Sequence, residues 1–67
     1  MRSNILKGKL GAAGYTQKTL APLMRMSENT LSKKLNGTAQ FTIDQVNHLC
    51  DILQIVDDNE KAYIFLQ

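Results

Sequence analysis

Residues 16–37, TQKTLAPLMRMSENTLSKKLNG, are the part of the chain that most constrains its fold. Apolar residues recur there at helical spacing in two short segments, and a hydroxyl side chain suited to cap a helix precedes each one. Thr16 would cap a helix over 17–24, and Ser27 would cap a second helix over 28–35 that an Asn-Gly pair ends. Because only two residues separate the first helix from the second cap, the helices must cross steeply. The stretch therefore predicts a helix-turn-helix.

The second of these helices carries polar groups on the side opposite its apolar residues. At about 100° per residue, Leu31 and Leu35 share one side. The opposite arc holds Glu28, Asn29, Ser32, Lys33 and Asn36. Carboxylate, amide, hydroxyl and ammonium groups can read donors and acceptors on base edges in a major groove. An ordinary solvated helix face is the alternative interpretation of this segment taken alone.

The wider pattern resembles a known family. The motifs G-Y-T-Q-x-x-L-A and M-S-x-x-T-L-S-x-K-L-N-G, followed by another helix, make residues 3–56 similar to the lambda-repressor-like (Cro/XRE) helix-turn-helix proteins. The short phage-encoded Cro-like repressors are the most similar in character. The resemblance implies a transcriptional repressor that binds a double-stranded DNA operator with helix 28–35 in the major groove, as a homodimer. We accordingly expect a cytoplasmic protein, in the bacterial host if it is phage-encoded.

Two groups of residues are expected to contact DNA. Those expected to face base edges are Glu28, Asn29, Ser32 and Lys33. Neutral donors to phosphates would come from Gln17, Ser27, Asn36 and Thr38, with charge added by Lys18, Lys9 and Arg25. We expect Lys34 to bury its stem, and a phosphate contact and a solvated ammonium remain equal alternatives for it.

The sequence departs from the family at three places. Pro22, beyond the first turn of its helix, predicts a kink or a short, partly irregular helix. Arg25 stands in the turn, where relatives often carry glycine, so either the turn differs or backbone strain is tolerated. Leu10 and Leu35 stand where several relatives hold a buried ion pair, and an apolar contact can replace such a pair.

Charge divides sharply along the chain. Residues 1–38 hold seven Lys and Arg against one Glu, a net charge of +6, whereas residues 39–67 hold one Lys against five Asp and Glu, a net charge of −4. Positive charge on the part with the helix-turn-helix suits attraction to phosphates. The acidic part is expected to face away from nucleic acid.

The remaining segments predict three more helices. Ser3 or Asn4 would cap the first, which runs to about Ala13 with Gly14 at its end. Thr42 opens the fourth with capping-box spacing to Gln45. Apolar residues that point inward are expected at Leu6, Leu10, Ala13, Leu20, Ala21, Leu23, Met24, Ile43, Val46, Leu49, Cys50 and Leu53.

The last segment is ambiguous. Asp57 or Asp58 would cap a final helix, but residues 62–66, AYIFL, suit either that helix or a short strand. This tail is more apolar than so small a monomer needs. A dimer surface is therefore expected within residues 55–67, at Ile55, Val56, Tyr63, Phe65 and Leu66.

Together these features predict a single all-α domain of 67 residues, a compact bundle of about five short helices. The sequence holds no nucleophile–base set, paired carboxylates or phosphate-binding glycine loop, so we expect no enzyme, no small-molecule substrate and no cofactor. His48 has no second ligand at metal spacing, and the apolar runs are too short for a membrane span. The first alternative is a protein-binding module of the same fold, such as an antitoxin or anti-repressor. The second, a binder of RNA or single strands, lacks an exposed aromatic platform.

Overall fold

Five α-helices and no strand form the part of the chain that the computed structural model describes, residues 1–66. The helices are α1 (Ser3–Ala12), α2 (Gln17–Leu23), α3 (Glu28–Leu35), α4 (Ile43–Leu53) and α5 (Asp58–Phe65). The predicted all-α fold is confirmed, and the ambiguous tail is helical through Phe65. The short α2 contains Pro22 and ends one residue after it. No helix within residues 1–66 is long and apolar enough to cross a bilayer.

Hydroxyl and carboxylate caps begin four of the helices. Thr16 accepts from the backbone N–H of Thr19 at 3.2 Å and begins α2, and Ser27 accepts from the N–H of Thr30 at 3.1 Å and begins α3. Thr42 forms the expected reciprocal capping box with Gln45 at the start of α4. Asp57 is the carboxylate that caps α5. These bonds join residues two or three positions apart, which explains why local sequence predicted them.

The start of α1 differs from the prediction. Ser3 is the first helical residue, and the cap position belongs to Arg2, whose side chain makes no capping hydrogen bond. Its backbone N–H donates instead to the Ile64 carbonyl at 2.7 Å, and its Nε donates to the Tyr63 carbonyl at 3.0 Å. The Arg2 guanidinium also lies 4.3 Å from the centre of the Tyr63 ring. Contact with α5, rather than a Ser3 or Asn4 cap, therefore positions the start of α1.

Four helices end in the same backbone geometry. A residue with positive φ follows the helix at Gly14, Arg25, Gly37 and Gln54, with φ values of 84°, 57°, 82° and 57°. At each, its N–H and the next N–H bond back to carbonyls three and five residues earlier, which is the Schellman pattern. Gly14 and Gly37 were expected to end helices, and their lack of a Cβ suits this conformation.

Within residues 1–66, one apolar cluster lies between the helices. It contains Leu6, Leu10, Leu20, Ala21, Met24, Leu31, Leu35, Leu49, Cys50, Ile55 and Ile64. Leu10 and Leu35 both belong to it, so both positions are apolar and buried. Burial raises the pKa of the Cys50 thiol, against a smaller opposing effect of Lys61. The predicted reading of Cys50 as a small core residue is confirmed.

Three residues expected in the core are exposed instead. Leu23 is 46% exposed because it lies well off the arc that Leu20, Ala21 and Met24 turn to the core. Ile43, the first residue of α4, is 80% exposed. Ala13 follows the last residue of α1 and is also exposed.

Candidate nucleic-acid interface

The turn between α2 and α3 is built as a glycine-type turn on a residue that is not glycine. The Arg25 N–H donates to the Pro22 carbonyl at 3.1 Å, and the Met26 N–H donates to the Ala21 carbonyl at 3.1 Å. Arg25 holds φ of 57°, the left-handed conformation that favours glycine, so its backbone strain is tolerated. Met26, the next residue, is half-buried against the core. The turn fixes how α3 leaves α2.

The polar arc of α3 points away from the core. Leu31 and Leu35 are 0% and 2% exposed, which fixes the rotation of the helix about its axis. Glu28, Asn29 and Lys33 are exposed. Asn29 and Lys33 lie on the far side, whereas Glu28, seven residues before Leu35, lies close to the apolar side and is exposed in the first turn. Within residues 1–66, no hydrogen bond or ion pair engages these three side chains. Their donors and acceptors therefore remain available to another molecule.

Ser32 and Asn36, the other members of that arc, are already connected. Asn36 Nδ2 lies 3.4 Å from Ser32 Oγ, one helical turn away. Asn36 Oδ1 accepts a hydrogen bond from Lys7 Nζ of α1. Ser32 is half-buried, whereas Lys7 and Asn36 are exposed.

The residues expected at phosphates differ in their availability. Gln17, Lys18, Arg25 and Thr38 are exposed. Ser27, by contrast, uses its hydroxyl at the cap, where it donates to Thr30 Oγ1 at 3.0 Å. The remaining phosphate candidate on α1, Lys9, pairs with Glu60 of α5 at 2.7 Å, with both side chains more than one-third exposed. A surface pair of this kind is weak, so its lysine can exchange partners.

Lys34 has a structural role, which its position in the sequence left undetermined. Its ammonium donates to the Gln40 carbonyl at 3.1 Å and to Gln45 Oε1 at 2.8 Å. It also lies 5.9 Å from the centre of the Phe41 ring. These contacts connect the end of α3 to the start of α4. They favour a role for Lys34 in holding the two helices together over a contact with a phosphate.

His48 of α4 forms a hydrogen bond to the helix-turn-helix that the sequence did not predict. Its Nε2 lies 2.8 Å from the carbonyl oxygen of Leu23 at the end of α2, so the ring donates there. The residue is also exposed to solvent. Among residues 1–66, no group of three or more His, Cys, Asp and Glu could hold a metal ion.

Comparison with known proteins gives one match. The family model of the Cro/C1-type helix-turn-helix DNA-binding domain matches residues 6–56, which contain α2, α3 and α4 in full. No curated protein and no solved structure matches the chain significantly.

Proposed function

Because the chain belongs to the family of Cro/C1-type helix-turn-helix DNA-binding domains, we propose that it is a sequence-specific transcriptional repressor. It binds a double-stranded operator as a homodimer, with α3 in the major groove. It acts in the bacterial cytoplasm, in the manner of the phage Cro-like repressors. Neither a cofactor nor a catalytic step belongs to this proposal.

The observation that carries the proposal is the divided surface of α3. Its apolar side is buried and its polar side is exposed, with the side chains of Glu28, Asn29 and Lys33 unpaired within residues 1–66. An unpaired amide, ammonium and carboxylate on a helix held rigidly by its neighbours suit a rigid array of base edges.

Four side chains are assigned to base edges by their chemistry. The Asn29 amide can pair with the N6 and N7 edge of adenine, and the Lys33 ammonium can donate to guanine O6 and N7. Glu28 can accept from cytosine N4. The Ser32 hydroxyl can pair with either kind of group.

The phosphates are assigned to residues around this helix. Exposed lysines and arginines supply attraction that depends on salt, and neutral donors fix the register of the helix on the duplex. The set is Gln17, Lys18, Asn36 and Thr38, with Arg25 and Lys9. Ser27 leaves the expected set because its hydroxyl proton is donated to Thr30 Oγ1 at the cap of α3. Lys9 would exchange Glu60 for a phosphate on binding.

Dimerisation is assigned to the exposed apolar residues of the C-terminal half. Val56 and Leu66 are 85% and 81% exposed, and Tyr63 is half exposed. Ile55 is only 5% exposed, so it serves the core and leaves this set. Half-buried Phe65 lines a groove of about 730 Å³ together with Phe41, Ile43, Val46 and Leu66. Two copies joined there would read two half-sites one helical turn apart, about 34 Å.

Footprinting on the DNA that flanks the chain's own gene tests the operator assignment, and a reporter under that DNA tests repression. We expect a two-fold protected site and lower reporter output when the protein is present. An unprotected region, with affinity equal to that for random duplex, would contradict the assignment. Specific binding with raised reporter output would contradict repression alone.

The dimer has its own test in stoichiometry on that site. Leu66→Ser and Val56→Ser should reduce two bound chains to one, because each places a hydroxyl in the apolar contact. Leu23→Ser, which also changes an exposed leucine but lies in α2, is the control and should keep two chains. Two chains bound by all three variants would contradict this dimer surface.

A protein-binding module of the same fold is favoured by one observation, the apolar groove beside α5. Such a module would lack sequence preference on duplex DNA. The footprint therefore separates the two functions.

A further inference from the structure

The side chain of Lys7, a residue of α1, reaches the C-terminal end of α3, a contact that the sequence did not predict. Its ammonium donates to Asn36 Oδ1, although the two residues are 29 positions apart. Asn36 Nδ2 is directed at Ser32 Oγ at 3.4 Å. These three residues form a chain of side-chain hydrogen bonds, named here the Lys7 relay, that runs from exposed Lys7 of α1 to half-buried Ser32 of α3.

The direction of these bonds follows from the groups involved. A lysine ammonium has three donors and no acceptor, so only the amide oxygen of Asn36 can face it. That orientation turns the amide NH2 toward Ser32, whose oxygen must then accept. A hydroxyl that accepts from a neighbour keeps its own proton free to donate. Through Asn36, Lys7 therefore determines that the Ser32 hydroxyl accepts within the protein and is free to donate outward.

Packing keeps the two helices that carry the relay in place. Leu6 of α1 is 0% exposed and flanks Lys7 in sequence, while Leu35 of α3 is 2% exposed and flanks Asn36. The helices α1 and α3 pack against each other through the core. Lys7 and Asn36 are thus brought together by buried neighbours, and the exposed contact between them does not hold the fold.

We propose that Lys7 is a positioning residue of the DNA interface. By orienting the Asn36 amide, it makes Ser32 a donor to a hydrogen-bond acceptor on a base edge, such as a purine N7 or thymine O4. This proposal rests on the proposed function, because it presumes that α3 reads duplex DNA. In this role Lys7 adds specificity for base sequence. A lysine that contacted only phosphates would instead raise the affinity for all sequences alike.

The test compares base preferences of four variants on duplexes that differ singly from the preferred site. Ser32→Ala should reduce preference at one base position by about two- to tenfold, the usual effect of one hydrogen bond. Lys7→Met should reduce preference at that same position, and the double variant should lose no more than Ser32→Ala does. Lys7→Arg should retain the preference, since a guanidinium also only donates. Thermal unfolding of each variant verifies its fold.

Lys9→Met is the matched control, because it removes the same charge from the same helix. It should weaken all duplexes alike and leave the preference unchanged. If Lys7→Met behaves as Lys9→Met does, Lys7 is a phosphate contact and the relay proposal is overturned.

Failure of the relay and failure of the proposed function give different results. In the free protein, Lys7→Met should shift the Asn36 side-chain NH2 resonances, whereas Lys9→Met should not; unshifted resonances would overturn the relay without any DNA. If the wild-type chain shows no preference among duplexes, the proposed function is overturned. The proposed role of Lys7 in specificity is then overturned as well. A wild-type preference that Lys7→Met leaves intact would overturn the relay alone.

Discussion

Replacing Arg25 with glycine should make the protein more stable and its DNA binding weaker. Arg25 holds φ of 57° at the end of α2. A residue with a Cβ pays about 1–2 kcal/mol for this conformation, which glycine adopts freely. Glycine also makes the unfolded chain more flexible, which offsets about 0.4–1 kcal/mol of that gain.

Taking the middle of each range, the net change in the free energy of unfolding is about 0.8 kcal/mol in favour of the variant. For a domain of this size, 1 kcal/mol shifts Tm by about 4–8 °C, so Arg25→Gly should raise Tm by roughly 3–6 °C. Circular dichroism during heating measures the shift. The same variant removes one cation from each chain, which should lower the salt slope of duplex binding by about 2 for a dimer.

Gln54 provides the matched control, because it has the same φ of 57° and the same backbone bonds at the end of α4. Gln54→Gly should raise Tm by a similar amount and leave DNA binding unchanged, since it removes no charge. Gly14→Ala should do the opposite and lower Tm. Its new Cβ would meet no atom within 4 Å, so any loss comes from the positive φ of 84°.

A lower or unchanged Tm in both Arg25→Gly and Gln54→Gly would refute the reasoning from backbone strain. A raised Tm with unchanged affinity and salt slope in Arg25→Gly would leave that reasoning intact. It would remove Arg25 from the phosphate contacts.

Three further predictions concern the interface and the core. Asn29→Ala and Lys33→Ala should each weaken binding to the preferred site by about 1–3 kcal/mol and relax preference at one base position, whereas Lys18→Ala should weaken all duplexes alike; titrations showing the reverse would contradict the orientation of α3. Because burial raises the pKa of Cys50, its thiol should resist a thiol reagent until the chain unfolds, and rapid labelling of folded protein would contradict this. The folded state favours the neutral thiol, whereas the thiol of the unfolded chain ionises above about pH 8.5. The contribution of Cys50 to the free energy of unfolding should therefore fall as pH rises above that value, and Cys50→Ala should remove this dependence.

The sequence predicted the elements whose causes are local. Thr16, Ser27 and Thr42 bond to backbone groups three residues away, so a short pattern contains the whole interaction. The rotation of α3 was predicted for the same reason, since Leu31 and Leu35 set it at helical spacing. The bounds of α3 were correct on both sides.

The interactions between helices escaped sequence reasoning. His48 bonds to a carbonyl 25 residues away, and Lys7 bonds to a side chain 29 residues away. Such pairs depend on the packing of whole helices, which periodicity does not determine. Arg2 shows the same limit, because its partners lie in α5, at the other end of the chain. Exposed Ile43 was misplaced because a helical pattern does not show where the neighbouring helices stop.

The central claim is that this chain binds duplex DNA through a basic face and reads sequence with α3. Its most direct test is the affinity for the footprinted site, and for a scrambled duplex, measured from low to physiological salt. The account predicts a log–log slope of roughly −4 to −7 for a dimer that displaces counterions at a handful of phosphates. It also predicts tighter binding to the footprinted site at every salt concentration. A flat salt response, or equal affinity for the two duplexes, would contradict the claim.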